Sequence, residues 1–297
     1  MIVLRAAAIV ALTMIGNGAP DVRRDTGEPL DLSGYVQTFV DDFQRPPAFY
    51  HPTLAPKGRW KTNFAFGEQN PAIPGAEQTR TLAGNAELQY YGDPLAGTGS
   101  FEWKPGQLTI VARANDGKQA ERFGGQPYRS GLITTERSFE QKYGYFEAEL
   151  TLPVGQGLWS AFWLLPRFQP GLDPQPAQEV DVLENIGRDG EFYATVHHDD
   201  PAAPNRKRSD LARISVPSVA TRHAYGVLIT PETISWYFDR RRVRTVANKD
   251  FDRPAYLLVN LAVGGTWPGA PGTETRFPAR LVIHRIRAFA LRGDKRG

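Results

Sequence analysis

The residues best suited to chemistry lie close together in Glu179-Val180-Asp181-Val182-Leu183-Glu184-Asn185-Ile186-Gly187. Three acids sit in a β-branched, strand-like run, although strands normally deplete Asp and Glu. Glu179 and Asp181 are two positions apart, so a strand points both to one face. Glu184 lies at an odd offset from Glu179 and would face the other way in a regular strand. A one-residue β-bulge near Val182-Leu183 returns it to the first face, and bulges are enriched beside active sites because they re-aim side chains. Three acids on one face, with Val180, Val182 and Leu183 packed inward, suit hydrolysis of a glycosidic bond. One carboxylate acts as nucleophile and one carboxyl as proton donor, about 5–5.5 Å apart in retaining enzymes. The middle acid couples the pair, raises the donor's pKa and orients the nucleophile. Two other readings stay open at this point: a solvated strand whose acids pair with Arg or Lys, and a divalent-cation site.

The elements that must hold these acids are strands. Leu108-Thr109-Ile110-Val111-Ala112, Tyr145 to Leu152, Ile234-Ser235-Trp236-Tyr237-Phe238 and Leu281-Val282-Ile283-His284-Arg285-Ile286 alternate apolar with polar residues. That period means strands with one buried face. Turn chemistry separates them at Lys104-Pro105-Gly106, Pro153-Val154-Gly155 and Gly264-Gly265. No stretch carries a sustained helical period with caps. Many strands, no βαβ alternation and no internal linker predict one large all-β sandwich of two sheets.

The chain of 297 residues divides into three parts on this reading. Residues 1–18, with Arg5 before the apolar run Ala6–Ile15, read as a signal peptide, so a secreted product, extracellular or periplasmic, is expected. Residues 19–34 read as a flexible lead-in, and residues 35–297 as a single catalytic domain. The apolar run is too short to span a bilayer, so no stable membrane insertion is expected after cleavage. With no Cys and five His, neither thiolate chemistry nor a zinc site is expected. A formal charge of +3 and two short basic runs beside turn residues, 205–208 and 240–242, argue against a nucleic-acid partner. No phosphate-binding glycine loop appears, so no nucleotide cofactor is expected.

Four segments in order resemble glycoside hydrolase family 16, whose bulged, laminarinase-like members carry Glu-x-Asp-x-x-Glu. They are the acid strand itself, Gly157 to Pro166 before it, Tyr225 to Asp239 after it, and Leu257 to Gly269 late in the chain. The resemblance spans roughly residues 38–292. It implies a β-jelly roll of two curved antiparallel sheets with an open cleft. It also implies Glu179 as nucleophile, Asp181 as its assisting acid and Glu184 as acid/base. The substrate it implies is a linear polysaccharide: β-1,3- or mixed β-1,3/1,4-glucan, or alternatively a bacterial exopolysaccharide. A non-catalytic carbohydrate-binding sandwich and a transglycosylase are the competing functions.

Trp159 and Trp163 are four apart and share a strand face, where indole rings stack on sugar C–H faces and ring N–H groups can meet hydroxyls. Trp267 sits in a Gly-Gly-Thr-Trp-Pro-Gly turn and is a further candidate for sugar stacking, whereas Trp236 reads as core. Asn85 and Arg129 are candidates for hydroxyl contacts, drawn from a polar, aromatic group that also holds Asn63, Arg80, Glu87 and Tyr91. By the resemblance His197 faces the cleft near the nucleophile; its neighbour His198 must point the opposite way. No cofactor is required by this chemistry. A structural calcium is doubtful, because His284 stands where the resemblance would place its acidic ligand. A monomer is expected.

Overall fold

The computed structural model describes residues 21–22, 27–67, 69, 76–167, 178–200 and 207–293. The expected signal peptide, 1–18, lies outside the described residues. In chain order the first strands are β1 (Asp21–Val22), β2 (Tyr35–Asp41), β3 (Gln89–Tyr91), β4 (Phe101–Lys104), β5 (Gln107–Ala114) and β6 (Tyr128–Ser130). Next come β7 (Leu132–Thr134), β8 (Gly144–Thr151), β9 (Leu158–Pro166), β10 (Glu179–Asn185), β11 (Glu191–Asp199) and β12 (Lys207–Ser215). The chain closes with β13 (His223–Ile229), β14 (Thr233–Phe238), β15 (Arg241–Ala247), β16 (Ala255–Val263) and β17 (Ala279–Leu291).

These strands form two sheets. The seven-stranded one runs β1-β12-β11-β10-β9-β16-β7, and the ten-stranded one runs β15-β14-β13-β8-β17-β5-β6-β3 with β2 on β17 and β4 on β5. Pairing is antiparallel throughout, except for β1 on β12 and β3 on β6. The two sheets stack as the expected jelly-roll sandwich. Alternation explains the strands: on β8, Phe146, Ala148 and Leu150 enter the core, while Glu147 and Glu149 face outward to Arg240, Arg222, Arg285 and Arg287. Phe162, Leu164, Val259, Leu261, Trp236 and Ile283 fill the space between the sheets, all fully buried. Each such side chain contributes about 1.5–3 kcal/mol over exposure.

The short helix Gly117–Arg122 went unforeseen because it has no apolar stripe. Its signal was a capping box: Asp116 accepts from the Gln119 backbone N–H at 2.8 Å, and the Gln119 side chain accepts from Asp116 N at 3.3 Å. The lead-in also departs from expectation, because its described part is paired rather than free. Leu30 N donates to Arg240 O at 2.8 Å, Pro29 bridges Arg241, and Asp21–Val22 adds a strand to β12. Edge strands offer unpaired backbone groups, and the segment satisfies them on both sheets. Among the described residues no helix is long and apolar enough to cross a membrane.

Candidate active site

The bulge on β10 is where the spacing of the acids requires it. Against β9, Asp181 stands opposite Trp163 and Leu183 opposite Phe162, so Val182 is the extra residue. Against β11, Asp181 faces Thr195 and Glu184 faces Tyr193. Val182 and Leu183 both enter the core as consecutive residues. A regular strand would place Leu183 in the cleft and drive Glu184 between the sheets, where an unpaired carboxylate is very costly. Burying two apolar neighbours therefore selects the bulge, and the bulge sets Glu179, Asp181 and Glu184 in one cleft.

Asp181 Oδ2 lies 3.0 Å from His197 Nε2, and the Ser209 hydroxyl is 2.8 Å from His197 Nδ1. When Ser209 donates to Nδ1, neutral His197 carries its proton on Nε2 and donates it to Asp181. Glu184 accepts from the Trp159 indole N–H at 3.2 Å and from the Thr195 hydroxyl at 3.3 Å. Burial, then the Asp181 charge, pushes Glu179 up to about 7. Burial likewise pushes Asp181 up to about 7, against a hydrogen bond from Glu179. Glu184 is raised well above the usual carboxylate range, by burial first and then by the charges of Asp181 and Glu179. Such a cluster holds a proton on Glu184 while its neighbours ionise.

Glu179, Asp181 and His197 also bring three ligand-type atoms within 4.8 Å of one another, the arrangement among the described residues that could hold a metal ion. Both His197 ring nitrogens are already engaged by Asp181 and Ser209, so the geometry is that of a hydrogen-bonded acid cluster. His284, at the position the resemblance links to calcium, bonds the Thr151 hydroxyl at 3.0 Å. Burial and the neighbouring Arg222 depress its pKa.

The cleft walls carry Phe64, Leu82, Tyr91, Trp159 and Trp163, with Asn85, Glu87 and Asn260 among them. Trp267 packs edge-on against Trp159 at 5.7 Å and against Tyr193 at 4.7 Å, extending the aromatic wall from its turn. Gly265, at φ +120°, makes room for this wall, since a Cβ there would lie 3.2 Å from the Trp159 ring. Both wall indoles spend their N–H groups internally, Trp159 on Glu184 and Trp163 on Asn260 Oδ1 at 2.8 Å. They present ring faces to the cleft, with both ring N–H groups engaged within the protein. Asn260 passes the connection on, donating to Tyr91 OH at 3.0 Å, and Tyr91 donates to Glu87 at 3.4 Å. Burial pushes Glu87 up to about 7 despite donors from Gln89 and Asn85.

Arg129 is a correction. Tyr91 faces the cleft, so Tyr90 faces away, and β3–β6 pairing puts Arg129 beside Tyr90. Its guanidinium instead bonds Thr98 O, Asn115 Oδ1 and Gln119 Oε1. Glu87, Asn260, Thr195 and Ser209 belong to the site and were not singled out for it. Asn260 had a signal, being the lone polar residue in the apolar run Ala255–Val263. Ser209 had none, because it meets His197 only through the β11–β12 register.

A jelly roll with two glutamates and an aspartate on a bulged cleft strand is the architecture of a glycoside hydrolase. The chain belongs to the glycosyl hydrolases family 16, whose family model matches residues 99–281. It is 36% identical over 272 residues to the endo-1,3-1,4-beta-glycanase EglC of Rhizobium meliloti, an alignment covering 89% of this chain and 54% of that protein. It is 33% identical to a beta-glucanase of Rhodothermus marinus, covering 69% of this chain and 75% of the relative. Among solved structures, the laminarinase from Rhodothermus marinus superposes with a TM-score of 0.66 at 28% identity, covering 86% of this chain and 97% of that one. The chain spans about half the length of the two Rhizobium meliloti relatives it matches.

Proposed function

We propose that this protein is an exported endo-β-glucanase that cuts β-1,3- or mixed β-1,3/1,4-linked glucan with retention of anomeric configuration. The observation that carries this reading is the bulge, which aims Glu179 and Glu184 into one cleft with Asp181 between them. The relatives named above as β-glucanases and laminarinase support the substrate class. An aromatic wall of Trp159, Trp163 and Trp267 suits stacked sugar rings.

In this mechanism ionised Glu179 attacks the anomeric carbon while Glu184 gives its proton to the departing glycosidic oxygen. A covalent glycosyl-enzyme forms and the chain beyond the cut leaves as an alcohol. Glu184, now ionised, takes a proton from water, whose oxygen displaces Glu179 and restores both groups. Asp181, held by His197, keeps Glu184 protonated through its charge.

Azide distinguishes the two glutamates. Glu179→Ala should lose nearly all hydrolysis of β-1,3-glucan, and azide should restore cleavage with an inverted glycosyl azide. Glu184→Ala should be rescued only on substrates with good leaving groups, giving the retained product. The opposite pattern would exchange the two roles, and rescue of neither variant by azide would remove double displacement.

A further inference from the structure

The cleft acids are held from behind by a second bulge in the opposite sheet. Between β14 and β15 the register shifts after the pair Trp236 and Arg244, so that Tyr237 faces Arg242 and Val243 is extra. Val243 and Arg244 therefore both point between the sheets, and both are buried. The bulge therefore sets Val243 beside a charged side chain on the same inner face.

What Arg244 reaches is the backbone beneath the site. Its guanidinium lies over the Trp236 ring, 4.8 Å from the centroid. One end donates to Ala194 O at 2.5 Å and Asp210 O at 3.1 Å, the other to Asp210 Oδ1 at 2.5 Å. Ala194 precedes Thr195, which holds Glu184, and Asp210 follows Ser209, which holds His197. The Trp236 indole N–H donates across the core to the carbonyl of Asp181 at 2.8 Å, at the residue where the catalytic bulge begins.

We propose that Trp236 and Arg244 form a pillar of positioning residues that clamps β10, β11 and β12 and thereby sets the geometry of the three acids. The inference rests on the reading of Glu179, Asp181 and Glu184 as the reacting groups. A bulge breaks the regular ladder, so its carbonyl needs a donor from elsewhere, and a polar group left buried without one shifts to find water. Releasing it lets Glu184 drift from Glu179, which weakens their coupling and lets Glu184 lose its proton more readily.

Trp236→Phe keeps the aromatic volume and deletes the N–H. With the full chain acting on β-1,3-glucan, kcat should fall about 10- to 100-fold with KM within about twofold of wild type. The alkaline limb of kcat/KM should move to lower pH. Arg244→Lys keeps the charge over the indole but cannot span both carbonyls; it should move the same readouts in the same direction, and it decides the matter if Trp236→Phe does not fold. Glu179→Gln serves as control. If Glu179→Gln is inactive while both pillar variants keep wild-type kcat and an unmoved limb, the pillar is wrong and the site reading stands. Lower thermal stability with unchanged kcat and limb likewise reduces the pair to core packing and overturns the proposal. If Glu179→Gln stays active, the site reading itself falls.

Discussion

Asp181→Asn keeps the shape of the middle acid and removes its charge, which makes it a direct probe of the coupled cluster. Oxygens of Glu179 and Asp181 lie within 4.8 Å of each other. Two unit charges at that distance interact by about 3.5 kcal/mol at an effective dielectric of about 20, equivalent to roughly 2.5 pH units. Burial is the larger cause of the Glu179 displacement, and the Asp181 charge comes second. The acidic limb of kcat/KM reports ionisation of the nucleophile in the free enzyme. In the wild type it should fall near 7, where Glu179 and Asp181 titrate. In Asp181→Asn it should move down by about one to two pH units. The alkaline limb should move the same way, because Glu184 owes part of its raised pKa to the Asp181 charge. The rate at the optimum should fall on the order of 10²-fold, as for other general acid–base contributions. KM should hold, since the aromatic wall is untouched. Reducing-end release from β-1,3-glucan across about pH 4–10 measures all of this. Full activity with both limbs unmoved would make Asp181 a bystander and refute the coupled-cluster account.

Stability should carry the same signature. A carboxylate whose folded pKa is raised contributes stability that is present below its unfolded value and lost as pH rises through the folded one. Raising Glu179 from 4.5 to about 7 corresponds to about 3 kcal/mol lost between those pH values. Glu179→Gln should therefore melt several degrees above wild type at pH 8 and much closer to it at pH 4, by calorimetry; an equal difference at both would contradict this. Arg129→Ala should leave kcat and KM unchanged and cost about 1–3 kcal/mol in urea unfolding, because its hydrogen bonds are structural. A raised KM instead would return Arg129 to the cleft.

How far the sequence could be read follows from how local each feature is. The bulge in the acid strand was legible because its signals fit within six residues: an odd offset between glutamates and two adjacent apolar residues that must both be buried. Strand identity was legible from alternation, and so was the shared face of Trp159 and Trp163. Arg129 was misplaced because parity on a three-residue strand depends on its partner, and β6 takes its parity from Tyr90 and Tyr91 on β3. The lead-in looked free because its partners, Arg240 and Arg241, lie about two hundred positions away.

The same distinction separates the site's chemistry from its tuning. Glu179, Asp181 and Glu184 come from one strand, so a short motif can specify the groups that the proposed mechanism uses. Their setting comes from afar. Trp236 holds the Asp181 carbonyl from 55 positions on, and Asn260 binds the Trp163 indole across 97. Ser209 and Thr195 reach the cluster only through the register of β10, β11 and β12. A jelly roll brings such segments together because each inward face must be buried against the other sheet. The bulge in β15 then has the same physical logic as the one in β10. Each inserts one residue so that two neighbours share a face: Val182 and Leu183 in the core with Glu184 left to the cleft, and Val243 and Arg244 between the sheets, where Arg244 meets the backbone of β11 and β12.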